Sequence, residues 1–213
     1  LVASGALPVA HANDGAGSIR IPACHTGTVG LKPSRGRIPM GPDIQEAFYA
    51  NAVEFAITRS VRDTAALLDV VHGNQPGEKY SAPLPSRRYV DELASAPRRL
   101  RIAVCADAWT DAAAHPDVVA AVESTAQLLS DLGHDVDIAA PRIDWDEFVD
   151  AMTAVFCAGT AAAVASLVPD LEFDRYTDLF EATTIACALA GRAMTAVDTA
   201  RIGVVFNSVS RRL

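Results

Sequence analysis

No broad basic face can be assembled from this sequence. Acidic residues outnumber basic ones by 26 to 18, leaving a formal net charge of -8. The densest basic clusters, Arg87-Arg88, Arg98-Arg99-Arg101 and Arg211-Arg212, are short and lie near acidic residues. Binding to DNA, RNA or an anionic membrane through counterion release needs clustered Lys and Arg, so those partners are not expected. The cysteines are few as well. Cys24, Cys105, Cys157 and Cys187 form no C-x-x-C pair and no compact His/Cys cluster, so neither a zinc site nor a disulfide framework is expected. Each has apolar neighbours, which predicts small buried hydrophobes in a reducing compartment. Long apolar runs are also missing. The best stretch, Met152 to Val168, is Ala-dominated, interrupted by Thr, Gly and Ser, and short of the roughly 20 residues of a membrane span. The opening residues lack the basic segment of a signal peptide. These absences lead to the expectation of a cytoplasmic protein whose partner is a small neutral or mixed-charge molecule.

Across 213 residues, 50% are hydrophobic, enough for one real core and a domain count of one or slightly more. Residues 1–43 are dense in Gly and Pro but keep Ile19, Ile21, Val29, Leu31 and Ile38 for burial. That pattern predicts ordered irregular backbone beside a site, with a short buried strand over 7–12 leading into a tight loop. Ser60 followed by Asp63 is the start signal of a helix with Val61, Ala65, Leu68 and Val71 on one face, stopped at Gly73. Residues 76–99, with four prolines, read as exposed linker with one short helix at 89–94. A strand over 100–105, a helix from Pro116 to Gly133 and a return strand over 134–139 suit a parallel pair with a right-handed crossover. The helix face is expected to hold Val118, Val122, Ala126, Leu129 and Leu132. The rest, 145–168 and from 179 onward, has helical period. Asp144, Asp146, Glu147 and Asp150 read as a solvated helix start. Phe48, Tyr49, Phe55, Phe156, Phe173, Tyr176 and Phe180 read as core.

The chemistry concentrates at residues 13–20. Gly15 and Gly17 flank Ala16 and leave the backbone nearly bare, so a ligand can approach the N–H groups closely. A hydroxyl on the same turn would join nucleophile and oxyanion donors in one unit, with Ser18 attacking and Gly15, Ala16, Gly17 and Ser18 donating. Spacing alone favours a plain Gly-rich turn after a strand. The loop is not a dinucleotide fingerprint, a P-loop or a G-x-S-x-G elbow.

The longer string NDGAGSIRIPACHTGTVGLKPSRGR over 13–37, with TRSVRD over 58–63, resembles the amidase signature family. The resemblance is strong over 8–73 and looser beyond. It implies an α/β fold, here a portion of a mixed central sheet covered by helices, and a Ser–cis-Ser–Lys triad that hydrolyses amides without a cofactor or metal. It puts Ser18 at the nucleophile, Gly15, Ala16, Gly17 and Ser18 at the oxyanion hole, and Asn13, Asp14 and Arg20 in support of the loop. The substrate implied is a small linear or cyclic amide, and the wording is closest to the 6-aminohexanoate-cyclic-dimer hydrolase branch. A homodimer is compatible with it.

Several departures accompany the match. Ala16 replaces a usual glycine, Asn13 a common Thr, and Glu54-Phe55-Ala56 a usual Gly-Pro. The catalytic Lys and the Gly/Ser-rich segment carrying the bridging Ser would lie upstream of Leu1. The 213 residues are therefore expected to be a partial amidase domain that also lacks a C-terminal part. Lys32 is expected to be structural, and His11 and His25 to be satisfied side chains, rather than substitute bases. Two other readings stay open: a catalytically incomplete remnant or binding module, and an A-type subunit of a glutamyl-tRNA amidotransferase. The acidic balance counts against the last.

Overall fold

In the computed structural model, which describes residues 1–44, 46–107, 112–168 and 179–213, the chain divides into two units, Leu1–Ala96 and Pro97–Leu213. The first is built on a three-stranded antiparallel sheet. Its elements run β1 (Val9–Asp14), a short helix α1 (Arg20–Thr26), the two-residue β2 (Val29–Gly30) and β3 (Val53–Thr58), with β3 central in the order β1-β3-β2. Central position explains why β3 escapes sequence reading. With neighbours on both sides it buries Val53, Phe55, Ala56 and Thr58, and so lacks the clean alternation of a half-exposed strand. Strand β1 differs from expectation in the opposite direction. It starts at Val9 and exposes Val9, His11 and Asn13, because as an edge strand it has one neighbour; only Asp14 is buried.

Ile19, Phe55 and Leu68 form the core of this unit, ringed by Ala12, Ile38, Ile57, Leu67, Val71 and Tyr89. Helix α2 (Val61–Val71) begins where the sequence puts it, with the Ser60 hydroxyl accepting from the Asp63 N–H at 3.1 Å. Its inward face is Thr64, Ala65 and Leu68, while Val61, expected on that face, is exposed. The stretch read as exposed linker is mostly exposed, and it is tied back onto the unit as a strap. The Glu78 carboxylate accepts from the Met40 and Gly41 N–H groups, and the Ala82 N–H donates to the Gly36 carbonyl. Gly36 is left-handed (φ 73), and a Cβ there would meet the Ser81 backbone at 2.9 Å. The strap ends in α3 (Tyr89–Glu92), whose first N–H groups, at Tyr89 and Val90, donate to the Asp69 carboxylate on α2.

The second unit opens as the sequence predicts. Strand β4 (Arg101–Val104), helix α4 (Pro116–Asp131) and strand β5 (Asp135–Ile138) make a parallel pair with Arg101 opposite Asp135. Strands of both polarities are thus present, in two separate sheets. No α4 residue is fully buried. The half-buried face is Val119, Val122, Ala126 and Leu129, with Val118 and Leu132 exposed, so the expected stripe is rotated at its two ends. Then α5 (Trp145–Leu167), α6 (Ala182–Ala193) and α7 (Ala196–Arg212) pack together. Asp144 caps α5 by accepting from the Glu147 N–H, and Thr195 and Asp198 form a reciprocal capping box on α7. At 23 residues α5 exceeds its expected apolar run and is long and apolar enough to cross a membrane by length and composition. It buries Ala151, Val155, Cys157, Ala161 and Val164 within its unit.

Burial of the cysteines holds for Cys157 alone. Cys105 and Cys187 are half-buried, and Cys24 is exposed because it falls on the outer side of α1. Of the aromatics read as core, Phe55 is buried and Phe156 is exposed; Phe173 and Tyr176 lie outside the described residues.

Helices α5 and α6 approach so closely that a Cβ built on Gly191 would run into the Cys157 carbonyl and stand 2.8 Å from the Ala161 Cβ. Gly191→Ala should therefore destabilise the unit by about 1–3 kcal/mol through overpacking. Gly159, an exposed position of α5, has open space around it, so Gly159→Ala should stabilise by about 0.5–1 kcal/mol. Opposite shifts of the urea midpoint for the two variants check this reading of the helix contact.

Candidate active site

Strand β1 delivers Asp14 to the point where the chain turns into the loop. The Asp14 carboxylate is fully buried, so it must be paired and hydrogen-bonded to be tolerated there. It accepts five donors. The Gly17 N–H reaches Oδ1 at 2.7 Å, and the Ile19 and Arg20 N–H groups reach Oδ2 at 3.2 and 3.3 Å. The Arg20 guanidinium closes the set as a fork, Nε on Oδ2 and Nη2 on Oδ1, each at 2.9 Å. That guanidinium holds the Asp14 carboxyl well below the usual carboxylate range, against the opposing effect of burial and with help from the three N–H groups. The support expected from Asp14 and Arg20 is this clamp. Asn13, one residue earlier on β1, faces solvent opposite Glu54 and takes no part in it.

The loop is thereby pinned from below. Ile19, completely buried, anchors the turn into α1, and the Ile21 N–H donates to the Gly17 carbonyl at 2.7 Å. Between these fixed points Ser18 is exposed. Gly17 has φ 112, a left-handed conformation that L side chains avoid, and a Cβ there would press on the Ile21 side chain at 2.6 Å. Ala16 does not have positive φ, which explains why a methyl group is accepted where glycine is usual.

One expected role changes. The Gly17 N–H is committed to Asp14 and points into the protein, so it cannot also receive an oxyanion. Gly17 serves the loop through its φ angle, and the expected donors reduce to Gly15, Ala16 and Ser18.

Of the side chains expected to be structural or satisfied, Lys32 has a hydrogen-bond partner and His11 lies against a carboxylate. Lys32 is partly buried and its ammonium donates to the Pro33 carbonyl at 2.9 Å; burial first, then the nearby Arg20 charge, push its pKa down. It braces local backbone. His11 is exposed, with Nε2 2.8 Å from the Glu54 carboxylate on β3, and His25 ends α1. Among the described residues no group of three His, Cys, Asp or Glu side chains is arranged to hold a metal ion. The sequence gives no sign that Phe48 would meet this loop, yet its ring lies against Gly15.

The Amidase family profile matches residues 1–190. The chain belongs to the amidase signature family. It is 47% identical over 144 residues to the 6-aminohexanoate-cyclic-dimer hydrolase of Paenarthrobacter ureafaciens, covering 66% of this chain and 29% of that protein. The solved structure of a 6-aminohexanoate cyclic dimer hydrolase complexed with substrate superposes with a TM-score of 0.85 at 32% identity, over 99% of this chain and 45% of that one. A bacterial aryl acylamidase of the amidase signature family shares the fold, with a TM-score of 0.83 at 23% identity over 100% and 46% of the two chains. The chain thus spans less than half the length of the relatives it matches.

Removing the clamp has a defined cost. Asp14→Ala leaves the loop N–H groups and Arg20 without their acceptor and should lower stability by about 3 kcal/mol, the low end for a broken buried pair because Arg20 is half in solvent. The pH dependence follows from the sign of the shift. The folded carboxyl titrates below its ordinary value of 3.8, so its contribution is fully present above about pH 4 and is lost as pH falls from there through the folded value. Urea titrations between neutral and acid pH should show that loss in the native sequence and a shallower one in Asp14→Asn.

Proposed function

We propose that this chain carries the nucleophile half of a serine amidase site. The exposed Ser18 hydroxyl, on a loop whose underside is fixed by a buried five-donor carboxylate, is the observation that carries the reading. In the reaction, Ser18 Oγ attacks the carbonyl carbon of a carboxamide and gives up its proton to a base, which passes it on to the leaving amine. The carbonyl oxygen takes the negative charge and is received by the Gly15, Ala16 and Ser18 N–H groups, each worth roughly 10²–10³ in turnover in comparable sites. Collapse of the tetrahedral species breaks the C–N bond and releases the protonated amine, leaving an acyl ester on Ser18. Water then attacks the ester carbonyl, breaks the bond to Ser18 Oγ, releases the carboxylic acid and restores the hydroxyl.

The base and proton relay belong, on the family pattern, to a Lys and a cis-Ser outside these 213 residues. The substrate class is a small linear or cyclic amide, supported by the similarity to the 6-aminohexanoate-cyclic-dimer hydrolase. No cofactor enters this reaction scheme.

In the full-length gene product carrying this chain, a fluorophosphonate should label Ser18, and Ser18→Ala should abolish labelling and lower amide turnover by at least about 10³-fold. Full activity in Ser18→Ala would overturn the assignment. Absence of labelling in the native sequence would overturn it as well.

A further inference from the structure

The Asp14 clamp reaches Gly17, Ile19 and Arg20 but not Gly15 or Ala16. What backs Gly15 comes from another part of the chain. A Cβ built on Gly15 would lie 3.2 Å from Phe48 Cδ2 and 3.4 Å from the Ala52 Cβ, so the ring edge rests on the bare α-carbon. Gly15 is not left-handed, and the glycine there serves to admit the ring.

Phe48 reaches that place through an unusual turn. Phe48, Tyr49 and Ala50 are three successive non-glycine residues with φ of 53, 54 and 60. Left-handed conformations in such side chains persist only where the surroundings over-determine them, and they cluster at functional sites. Here the determinants are visible. The Asn51 N–H donates to the Phe48 carbonyl and the Ala52 N–H to the Ala47 carbonyl. Arg35 Nε donates to the Ala50 carbonyl at 2.7 Å, and Ala50 itself is buried. The Arg35 guanidinium also lies over the Tyr80 ring of the strap at 5.3 Å from its centroid. Lys79, ion-paired to Glu46, lies against the same ring at 5.4 Å.

The geometry points to Phe48 as a positioning residue for the Ser18 loop, with Arg35 as the latch that holds the left-handed turn and so keeps the ring on Gly15. The ring fixes the direction of the Gly15 and Ala16 N–H groups, which lie outside the reach of the carboxylate. The inference rests on the reading of Ser18 as nucleophile and adds to it the second support of the loop.

The test uses the full-length gene product and compares Arg35→Ala, Phe48→Ala, the double variant Arg35→Ala with Ala50→Gly, and Ser18→Ala. Readouts are the rate of fluorophosphonate labelling, kcat and KM for an amide substrate, and deuterium uptake at 9–19 against uptake in α2. Arg35→Ala and Phe48→Ala should each slow labelling by at least about tenfold and lower kcat with KM nearly unchanged, because the lost alignment is felt in the transition state. Uptake should rise at 9–19 and not in α2. Ala50→Gly accepts the left-handed conformation without strain and keeps the carbonyl, so it should restore most of the labelling rate in the Arg35→Ala background. Labelling within about twofold of the native rate in both single variants, with Ser18→Ala unlabelled, would overturn this inference and leave the nucleophile reading standing, since oxyanion misalignment is expected to cost more. A rise in uptake across α2 in step with 9–19 would also overturn it, as general loosening. Labelling of Ser18→Ala would overturn both.

Discussion

A buried carboxylate is the constraint around which the first unit is arranged. Asp14 is fully buried and is satisfied by three backbone N–H groups and a guanidinium fork, all within six residues downstream. That requirement bends the chain back over its own strand end. It also selects the residue types that follow: a glycine at 17 able to take φ 112, a large apolar anchor at 19 and an arginine at 20. Ser18 is left on the outer side of the turn. Exposure of the hydroxyl is thus a consequence of where the carboxylate sits.

The carboxylate is held in place by pairing at a distance. Asp14 stands opposite Val53, so the end of β1 is set by a strand some forty residues later. The segments between and beyond β2 and β3 are then tied to each other. Glu78 gathers the Met40 and Gly41 N–H groups, Gly36 lies under the strap at Ser81, and Arg35 holds the Ala50 carbonyl. Three consecutive left-handed residues, costing roughly 1–2 kcal/mol each relative to ordinary backbone, survive inside that arrangement. Strain of this kind requires compensation from the contacts around it, and the residues at its ends, Phe48 and Ala52, lie against Gly15 of the Ser18 loop.

Much of the local structure was legible beforehand. The Ser60 and Asp144 caps, Pro116 at the first position of α4, the β4–α4–β5 crossover and the helical character of α5, α6 and α7 depend on neighbours within a few residues. Those signals were sufficient where partners are near in sequence. They misled where the partner is remote. The central strand β3 has no alternation to read, α1 is hidden by Pro22 and the surrounding glycines, and the expected burial of Cys24, Val61 and Val118 depended on faces that only packing assigns.

The same division runs through the site. The sequence by itself determined the family resemblance, the position of Ser18, and the expectation that Asp14 and Arg20 support its loop, because a motif of this length records residue types at short spacing. Only the tertiary structure decided that the Gly17 N–H is taken by Asp14, that Ala16 is accepted because its φ is ordinary, and that the Phe48 ring supports Gly15. Those outcomes depend on the direction of individual N–H groups and on contacts across more than thirty residues of chain. Neither quantity has a local signature in the order of the amino acids.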